Sequence, residues 1–374
     1  MIVTYVSNKI NHTPLHVADY PVGLEPRVLK LYSLLDIGSI DRVQMLGIYG
    51  TGGMGKTTLA KAIYNFIAHQ FECLCFLHNV RENSTKVDGL EHLQSKVLFK
   101  TIGLEIRFGD ISEGIPIIKK RLQRKKVLLI LDDIDKLKQL QVLAGEPDWF
   151  GLGSRLIITT RDKHLLKCHG IDITYEVDGL NEKEALRLLR WKALKNSTVN
   201  QSYEGILNRV VTYASGLPLA LEVVGSNLFG KDIEKWKSLL DEYERIPNKD
   251  IQKILKVSFN NLGEYEQSVF LDIACCFKGY SLHEVEYILC AHYGYCMKYH
   301  IGKLVDKSLI KISQLSRVTL HDLIEIMGKE IVRKESVIEP GKRTRLWFHE
   351  DIVRVLKENT VNKSDINELF VYFV

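Results

Sequence analysis

The sequence predicts a parallel α/β sheet followed by an all-helical region, and three observations lead to this fold class. A glycine-rich loop lies between an apolar stretch and a helical pattern in LGIYGTGGMGKTTLAK, residues 46–61. Strand and helix patterns alternate between residues 42 and 177, which is typical of a doubly wound sheet with right-handed crossovers. After Asn181 the strand pattern almost stops, and helical patterns follow one another.

The predicted strands are short apolar runs. They cover Arg42–Tyr49, Cys73–Val80, Val127–Leu131, Ser154–Thr160 and Ile173–Val177. Val127–Leu131 is five consecutive apolar residues, as expected for a strand buried on both faces of a parallel sheet. Helical patterns lie beside these strands at Arg27–Leu35, from the glycine-rich loop to Ala68, at Leu90–Leu98 and at Ile115–Gln123.

The helical region begins at Asn181, which with Glu184 three residues later forms a predicted capping box. Further helices are predicted at Tyr203–Ala214, Leu219–Leu228, Ile233–Glu244, Ile251–Phe259, Tyr265–Phe277 and Leu282–Ala291. Two short alternating runs, Leu309–Ile312 and Arg317–Leu320, predict a hairpin before a helix at Leu323–Lys334. Several helices with one hairpin and a flanking helix are the outline of a winged-helix module placed after a small helical bundle.

A chain of 374 residues is too long for one ordinary core, so we expect several domains. The predicted order is a linker at 1–20, an α/β domain at 21–180 that contains the glycine-rich loop, a helical bundle at 181–247, a winged-helix domain at 248–345, and a C-terminal helix and tail at 346–374.

The composition is that of a soluble globular protein, with 45% hydrophobic and 26% charged residues. No apolar run approaches the roughly 20 residues that span a bilayer, and the N-terminus lacks the order of a signal peptide. These features predict a cytosolic or nuclear protein, in which the seven cysteines are reduced thiols. The net charge of +5 is mild and does not by itself indicate nucleic-acid binding.

Gly50–Thr57 fits the phosphate-loop pattern G-x-x-x-x-G-K-[ST]. Four glycines let the backbone N–H groups turn toward a polyphosphate, and these are Gly50, Gly52, Gly53 and Gly55. Lys56 supplies a positive charge for the outer phosphates, and Thr57 offers a hydroxyl to Mg²⁺. The alternative is a flexible turn, which the position between a predicted strand and a predicted helix disfavours.

The predicted strands Val127–Leu131 and Ser154–Thr160 end at the same predicted edge of the sheet. After the first, Asp132 is the candidate for holding Mg²⁺, and Asp133 is the candidate catalytic carboxylate that orients an attacking water. After the second, which ends in hydroxyls, Arg161 is placed to contact a γ-phosphate. The alternatives are an acidic turn at the end of one strand and a surface arginine at the end of the other.

These motifs resemble the NB-ARC module of plant intracellular immune receptors of the TIR-NBS-LRR class. The resemblance also rests on Gly216-Leu217-Pro218-Leu219, on FLDIACCFKG at Phe270–Gly279, on Leu320-His321-Asp322, and on Asp135, which closes LDDID. It covers roughly residues 12–360, where the motifs stand in the family's order. Leu320 replaces the methionine that the family has before this histidine, and Leu for Met is a volume-conserving exchange.

The resemblance implies a site for ADP or ATP with Mg²⁺. It assigns Val22 and Gly23 to the adenine, and the loop from Gly50 to Thr58, with Met54 and Thr58, to the phosphates and the metal. It makes Asp132 and Asp133 the Walker B pair, Arg161 the nucleotide-state sensor, Pro218 a neighbour of the adenosine, and His321 a contact of the ADP β-phosphate that latches the closed state.

The resemblance implies a switch that is closed with ADP and self-associates, or joins related receptors, with ATP. Its winged helix is implied to be a regulatory lid, so we expect no DNA binding. The family's TIR domain and leucine-rich repeats have no counterpart in these 374 residues, and Asn359–Val374 does not resemble the family. We therefore expect effector recognition to lie in parts not present here. Two alternatives stay open, a turnover ATPase and a binding fragment that regulates full-length receptors.

Overall fold

The computed structural model describes residues 13–195, 203–358 and 370–371. The chain divides into two compact units, one running to Asp178 without Thr51–Gly53, and the other made of Thr51–Gly53 and the residues from Gly179 onward. Residues 1–12 of the predicted linker and most of the predicted tail at 359–374 lie outside the described residues.

The first unit is built on a five-stranded parallel sheet. Its strands are β1 (Gln44–Tyr49), β2 (Cys73–Leu77), β3 (Val127–Ile134), β4 (Arg155–Thr160) and β5 (Thr174–Glu176), and they lie in the order β2-β3-β4-β1-β5. Residues 128–131 of β3 are fully buried, as the apolar run predicted. Because the strands are parallel, their C-terminal ends meet at one edge of the sheet. The predicted fold class of this region is confirmed.

One helix of the first unit precedes the sheet, and the others lie between consecutive strands. The helices are α1 (Leu24–Leu34), α2 (Lys56–Ile67), α3 (Val80–Asn83), α4 (Gly89–Ile102), α5 (Ile111–Leu122), α6 (Leu137–Leu143) and α7 (Lys163–Cys168). Two of them correct the sequence prediction. Helix α5 begins four residues earlier than expected, because the Asp110 side chain caps it by accepting from the Ser112 N–H. Strand β2 ends at Leu77 instead of Val80, and α3, which was not predicted, begins at Val80.

The second unit is mostly helical within its described residues. Its helices are α8 (Glu182–Leu194), α9 (Glu204–Ala214), α10 (Pro218–Leu228), α11 (Ile233–Arg245), α12 (Lys249–Asn260), α13 (Glu264–Asp272), α14 (Leu282–Tyr293), α15 (Lys298–Asp306), α16 (Asp322–Arg333) and α17 (His349–Glu358). The predicted capping box is present, since the Asn181 side chain accepts from Glu184 N and the Glu184 side chain accepts from Asn181 N.

The predicted hairpin is also present, as the antiparallel strands β6 (Lys311–Ile312) and β7 (Val318–Thr319). Strand β8 (Arg345–Leu346) pairs in parallel with β9 (Phe370–Val371). The predicted helix from Tyr265 to Phe277 is not uniform, because its last part, Ile273–Phe277, is a π-helix. Helix α15 was not predicted.

Candidate nucleotide-binding site

The phosphate-loop motif forms the turn between β1 and α2. Gly55 is the N-cap of α2 and has a φ of 89°, in the left-handed region that favours glycine. A Cβ at Gly55 would meet no other atom within 4 Å, so the N-terminus of α2 faces open space. Gly50 and Gly53 also have positive φ angles, but Gly52 does not. Three of the four glycines therefore adopt a backbone conformation that favours glycine.

Lys56 lies in the first turn of α2 and is only 8% exposed. Its Nζ donates a hydrogen bond of 2.7 Å to Gly50 O, which folds the side chain back over the loop. Burial lowers the pKa of Lys56 to about 7, and the positive charge of Arg161 acts in the same direction, against Asp133 and Asp132. A bound polyphosphate would favour the charged ammonium and raise this pKa.

Asp132 is fully buried near the end of β3, and hydroxyl groups connect it to the first turn of α2 and to β4. Its Oδ1 accepts hydrogen bonds from Thr57 Oγ1 at 2.8 Å and from Thr159 Oγ1 at 2.7 Å. Its Oδ2 is buried and has no hydrogen-bond partner among the described residues. An unpartnered buried carboxylate oxygen beside a threonine hydroxyl fits a hard cation such as Mg²⁺, which takes oxygen ligands.

Asp133 lies in a break of the β3–β4 ladder, where the register shifts between Leu131 and Ile134. Its φ is +61°, an uncommon backbone conformation for a residue with a side chain, and its N–H donates to Thr159 Oγ1 at 2.8 Å. The two neighbouring carboxylates have different partners, because Asp132 accepts from Thr57 and Thr159 whereas Asp133 accepts from Arg81. A bulge of this kind commonly redirects a side chain beside a functional site.

Two arginines face the Asp133 carboxylate. Arg81 Nε donates to Asp133 Oδ2 at 2.8 Å, and Arg161 Nε lies 4.0 Å from Asp133 Oδ1. Burial lowers the pKa of Arg161, and the charge of Asp133 opposes that shift. Arg81 was not among the predicted site residues, because its only signal is its position four residues after the end of β2.

The adenine segment assigned by resemblance precedes α1 in the same unit. Val22 is 7% exposed, and Gly23, with a φ of 66°, is the N-cap of α1. The Arg27 guanidinium donates to Gly23 O, and α1 packs against α2. Within α2, Thr58 is half-buried in the first turn, while Met54 in the loop is buried. The first unit thus contains the adenine segment, the part of the motif from Met54 to Thr58, and Asp132, Asp133 and Arg161.

The remaining predicted residues belong to the second unit. Pro218 is the first residue of α10, where its fixed φ suits a helix start, and the N–H of the next residue, Leu219, donates to Gly53 O at 3.3 Å. A Cβ at Gly53 would lie 2.8 Å from the Leu219 side chain. The phosphate loop therefore needs glycine here for close approach as well as for its φ of 81°.

His321 caps α16, and both of its ring nitrogens have partners within the second unit. Nδ1 accepts from Leu323 N at 3.2 Å, and Nε2 lies 3.0 Å from Ser215 O. These two contacts fit the neutral ring with its proton on Nε2. Burial lowers the pKa of His321, which also favours the neutral ring, although Asp322 and the Ser215 carbonyl act in the opposite direction.

Comparison with known proteins finds matches over most of the chain. An NB-ARC domain matches residues 29–199, and the winged-helix domain of Roq1-like disease resistance proteins matches residues 263–336. TMV resistance protein N of Nicotiana glutinosa is 39% identical over 370 residues, covering 96% of this chain and 31% of that protein. Disease resistance protein RUN1 of Vitis rotundifolia is 41% identical over 338 residues, covering 90% of this chain and 25% of that protein.

The chain thus spans about a third or less of the length of these two relatives. Among solved structures, a Walker-type ATPase of Pyrococcus abyssi matches with a TM-score of 0.55 at 13% identity, covering 83% of this chain and 96% of that one. The ORC2 protein of Aeropyrum pernix, solved as ADPNP and ADP complexes, matches with a TM-score of 0.50 at 14% identity, covering 87% of this chain and 96% of that one. These structural matches support the fold.

Among the described residues, none of the helices combines the length and the apolar character that a membrane span requires.

The sequence relatives, the two domain matches and the parallel sheet with its phosphate loop agree with one another. The chain therefore belongs to the NB-ARC family of plant disease resistance proteins, with a nucleotide-binding NB-ARC domain followed by a winged-helix domain of the Roq1-like type.

Proposed function

We propose that the chain is the adenine-nucleotide switch of a plant immune receptor, closed with ADP and open with ATP. One observation carries this proposal. Fully buried Asp132 accepts a hydrogen bond from the phosphate-loop hydroxyl of Thr57 and keeps its second oxygen without a partner among the described residues. A buried carboxylate in that condition is costly unless a cation or a donor meets it, so the arrangement favours a Mg²⁺-nucleotide site.

Different residues bind the phosphates, the Mg²⁺ ion and the adenosine of the proposed ligand. The N–H groups of the loop from Gly50 to Thr58 and the Lys56 ammonium bind the phosphates, because a helix N-terminus and a cation both favour anions. Thr57 and Asp132 hold Mg²⁺, which when bound neutralises phosphate charge. Val22, Gly23 and Pro218 contact the adenosine, Arg161 contacts the γ-phosphate, and His321 contacts the β-phosphate of ADP.

Hydrolysis has a subordinate role in this proposal. Asp133 is the carboxylate that orients the attacking water, but Arg81 already occupies one of its oxygens. A carboxylate engaged by a guanidinium is less available to accept from water, so we expect at most a slow Mg²⁺-dependent ATPase that resets the switch.

The ATP-bound form is proposed to self-associate or to join related receptors in the cytoplasm or nucleus, as the first step of a defence signal. Effector recognition is assigned to parts of the receptor other than this chain. The winged-helix region serves as the regulatory lid, and we expect it to bind no DNA.

Sedimentation velocity with a saturating nucleotide tests the switch. The chain is compared in ADP and in the non-hydrolysable analogue AMP-PNP, each with Mg²⁺, so that turnover cannot mix the two states. We expect a compact monomer with ADP, and an expanded monomer or an assembly with AMP-PNP. Identical sedimentation in both nucleotides, with both shown to be bound, would contradict the proposed switch.

A further inference from the structure

Strand pairing places Arg81 near the C-terminal edge of the sheet, where Asp132 and Asp133 lie. Strand β2 pairs in parallel with β3, and Leu77 at the end of β2 lies opposite Leu131. The next residue of β3 is Asp132, so the segment that follows β2 runs beside the two carboxylates. Asn79, with a φ of +50°, turns the chain there and begins α3, which carries Arg81 in its first turn. The position of Arg81 is therefore fixed by the sheet and not by a long loop.

The Asp133 carboxylate stands between two guanidinium groups. Arg81 contacts one oxygen at 2.8 Å, and Arg161 lies 4.0 Å from the other. The three side chains are between 19% and 27% exposed, so they lie at the wall of the site rather than in open solvent. Lys56 adds a further positive charge to this region when it is protonated, and Arg81 is among the charges that lower its pKa. Such a concentration of cations favours an anion with more than one charge.

Only some of the hydrogen-bond donors of the Arg81 guanidinium have partners among the described residues. It contacts Asp133 through Nε, and its two terminal amino groups hydrogen-bond to no described residue. A guanidinium has five N–H donors in a planar fork that matches phosphate oxygens. Asp133 thus orients the group from one side and leaves its other donors available.

We propose that Arg81 is a second phosphate-binding arginine, which contacts the terminal phosphate of a nucleoside triphosphate together with Arg161 and is positioned for it by Asp133. The assignment rests on the proposed function and adds a residue to it. Both arginines face the same carboxylate, so the proposal is that one phosphate group contacts both of them. ADP lacks that group, so Arg81 distinguishes the triphosphate from the diphosphate.

Equilibrium affinities test this assignment without relying on hydrolysis. Isothermal titration measures the Kd of ADP and of AMP-PNP, both with Mg²⁺, for the parent chain and for Arg81→Gln. Arg124→Gln is the matched control, because Arg124 is an exposed arginine just before the start of β3, at the opposite end of that strand. We expect Arg81→Gln to weaken AMP-PNP about tenfold or more, as for the loss of a charge-assisted hydrogen bond, and to leave ADP unchanged. The control should leave both affinities unchanged.

The outcomes separate the two proposals. If the parent binds both nucleotides and Arg81→Gln weakens them equally, or weakens neither, the assignment of Arg81 is wrong and the proposed switch stands. Arg81→Lys gives a second test, because it keeps the charge but loses the fork, and it should show a smaller loss for AMP-PNP than the glutamine variant. If the parent binds neither nucleotide, the proposed function is wrong, and so is the assignment of Arg81.

Discussion

The Thr57 hydroxyl donates a hydrogen bond of 2.8 Å to Asp132 Oδ1, although the two residues lie 75 positions apart in the sequence. This contact joins the start of α2 to the end of β3. It leaves Asp132 Oδ2 buried and without a partner among the described residues, which is the strongest local sign of a cation site.

Asp132→Asn tests that cation site. The amide keeps the shape of the side chain and an oxygen acceptor for the threonine hydroxyls, but it loses the negative charge that attracts Mg²⁺. We expect the affinity for AMP-PNP with Mg²⁺ to fall about tenfold or more, and the affinity for ADP in EDTA to stay the same. Asp148→Asn, an exposed carboxylate paired with Lys119, is the control. Equal affinity of parent and Asp132→Asn in Mg²⁺ would remove Asp132 from the metal site.

The lowered pKa of Lys56 leads us to expect proton uptake when ADP binds. Its pKa is lowered to about 7 by burial, so at pH 8 much of the unliganded lysine is neutral. The phosphates stabilise the charged form, and the complex should therefore take up a proton at pH 8 and less at pH 6, with affinity falling as the pH rises above 7. Titration calorimetry in two buffers of different ionisation enthalpy measures this uptake. Uptake that persists in Lys56→Met would assign the proton to another group.

His321→Ala tests the latch of the ADP state. The variant removes the ring that lies 3.0 Å from Ser215 O and caps α16, so the closed arrangement loses a partly buried hydrogen bond of about 1 kcal/mol. We expect the preference for ADP over AMP-PNP to fall about fivefold, as measured by competition binding. His283→Ala, an exposed histidine near the start of α14, should change nothing. An unchanged preference in purified, folded His321→Ala would show that His321 is not the latch.

Asp133→Asn separates catalysis from nucleotide selection. The carboxylate faces both arginines and opposes the approach of a negatively charged γ-phosphate. Its neutralisation should raise the ratio of AMP-PNP to ADP affinity about fivefold, or about 1 kcal/mol, while slowing any hydrolysis. Phosphate release and the two Kd values are measured on the same samples. Slower hydrolysis with an unchanged affinity ratio would leave water orientation as the only role of Asp133.

The energetics of the switch require more than one contact. Inverting a 1:99 population takes about 5.5 kcal/mol of differential binding, whereas one hydrogen bond to a charged group supplies roughly 1.5–3 kcal/mol. Arg161 alone is insufficient on this scale. Arg81 and Arg161 together, with loss of the His321 latch, reach the required range.

The parallel sheet and the all-helical region could be predicted because their signals are local. The apolar run at Val127–Leu131, the glycine-rich loop and the Asn181 capping box each act within a few residues. Helix α15 was missed because it buries only Ile301 and Leu304, which is too weak a pattern to identify a helix. Helix α3 is four residues long and has no helical period to detect.

The contacts among the site residues could be predicted only in part. The motifs placed Lys56, Thr57 and Asp132 correctly at one sheet edge, because parallel strands bring their C-terminal ends together. The pairing of Arg81 with Asp133 spans 52 positions and depends on the register of β2 against β3 and on the bulge at Asp133. Neither the register nor the bulge is encoded in a short motif, so Arg81 could not be identified as a site residue from the sequence.

The nucleotide content of the purified protein shows whether this chain holds an adenine nucleotide at the phosphate loop. The chain is denatured and the released nucleotide is identified by chromatography, with Lys56→Ala as the test variant and exposed Lys120→Ala as the control. The account predicts stoichiometric ADP in the parent and the control and little in Lys56→Ala. An empty site in folded parent protein that also fails to bind added ADP would contradict it.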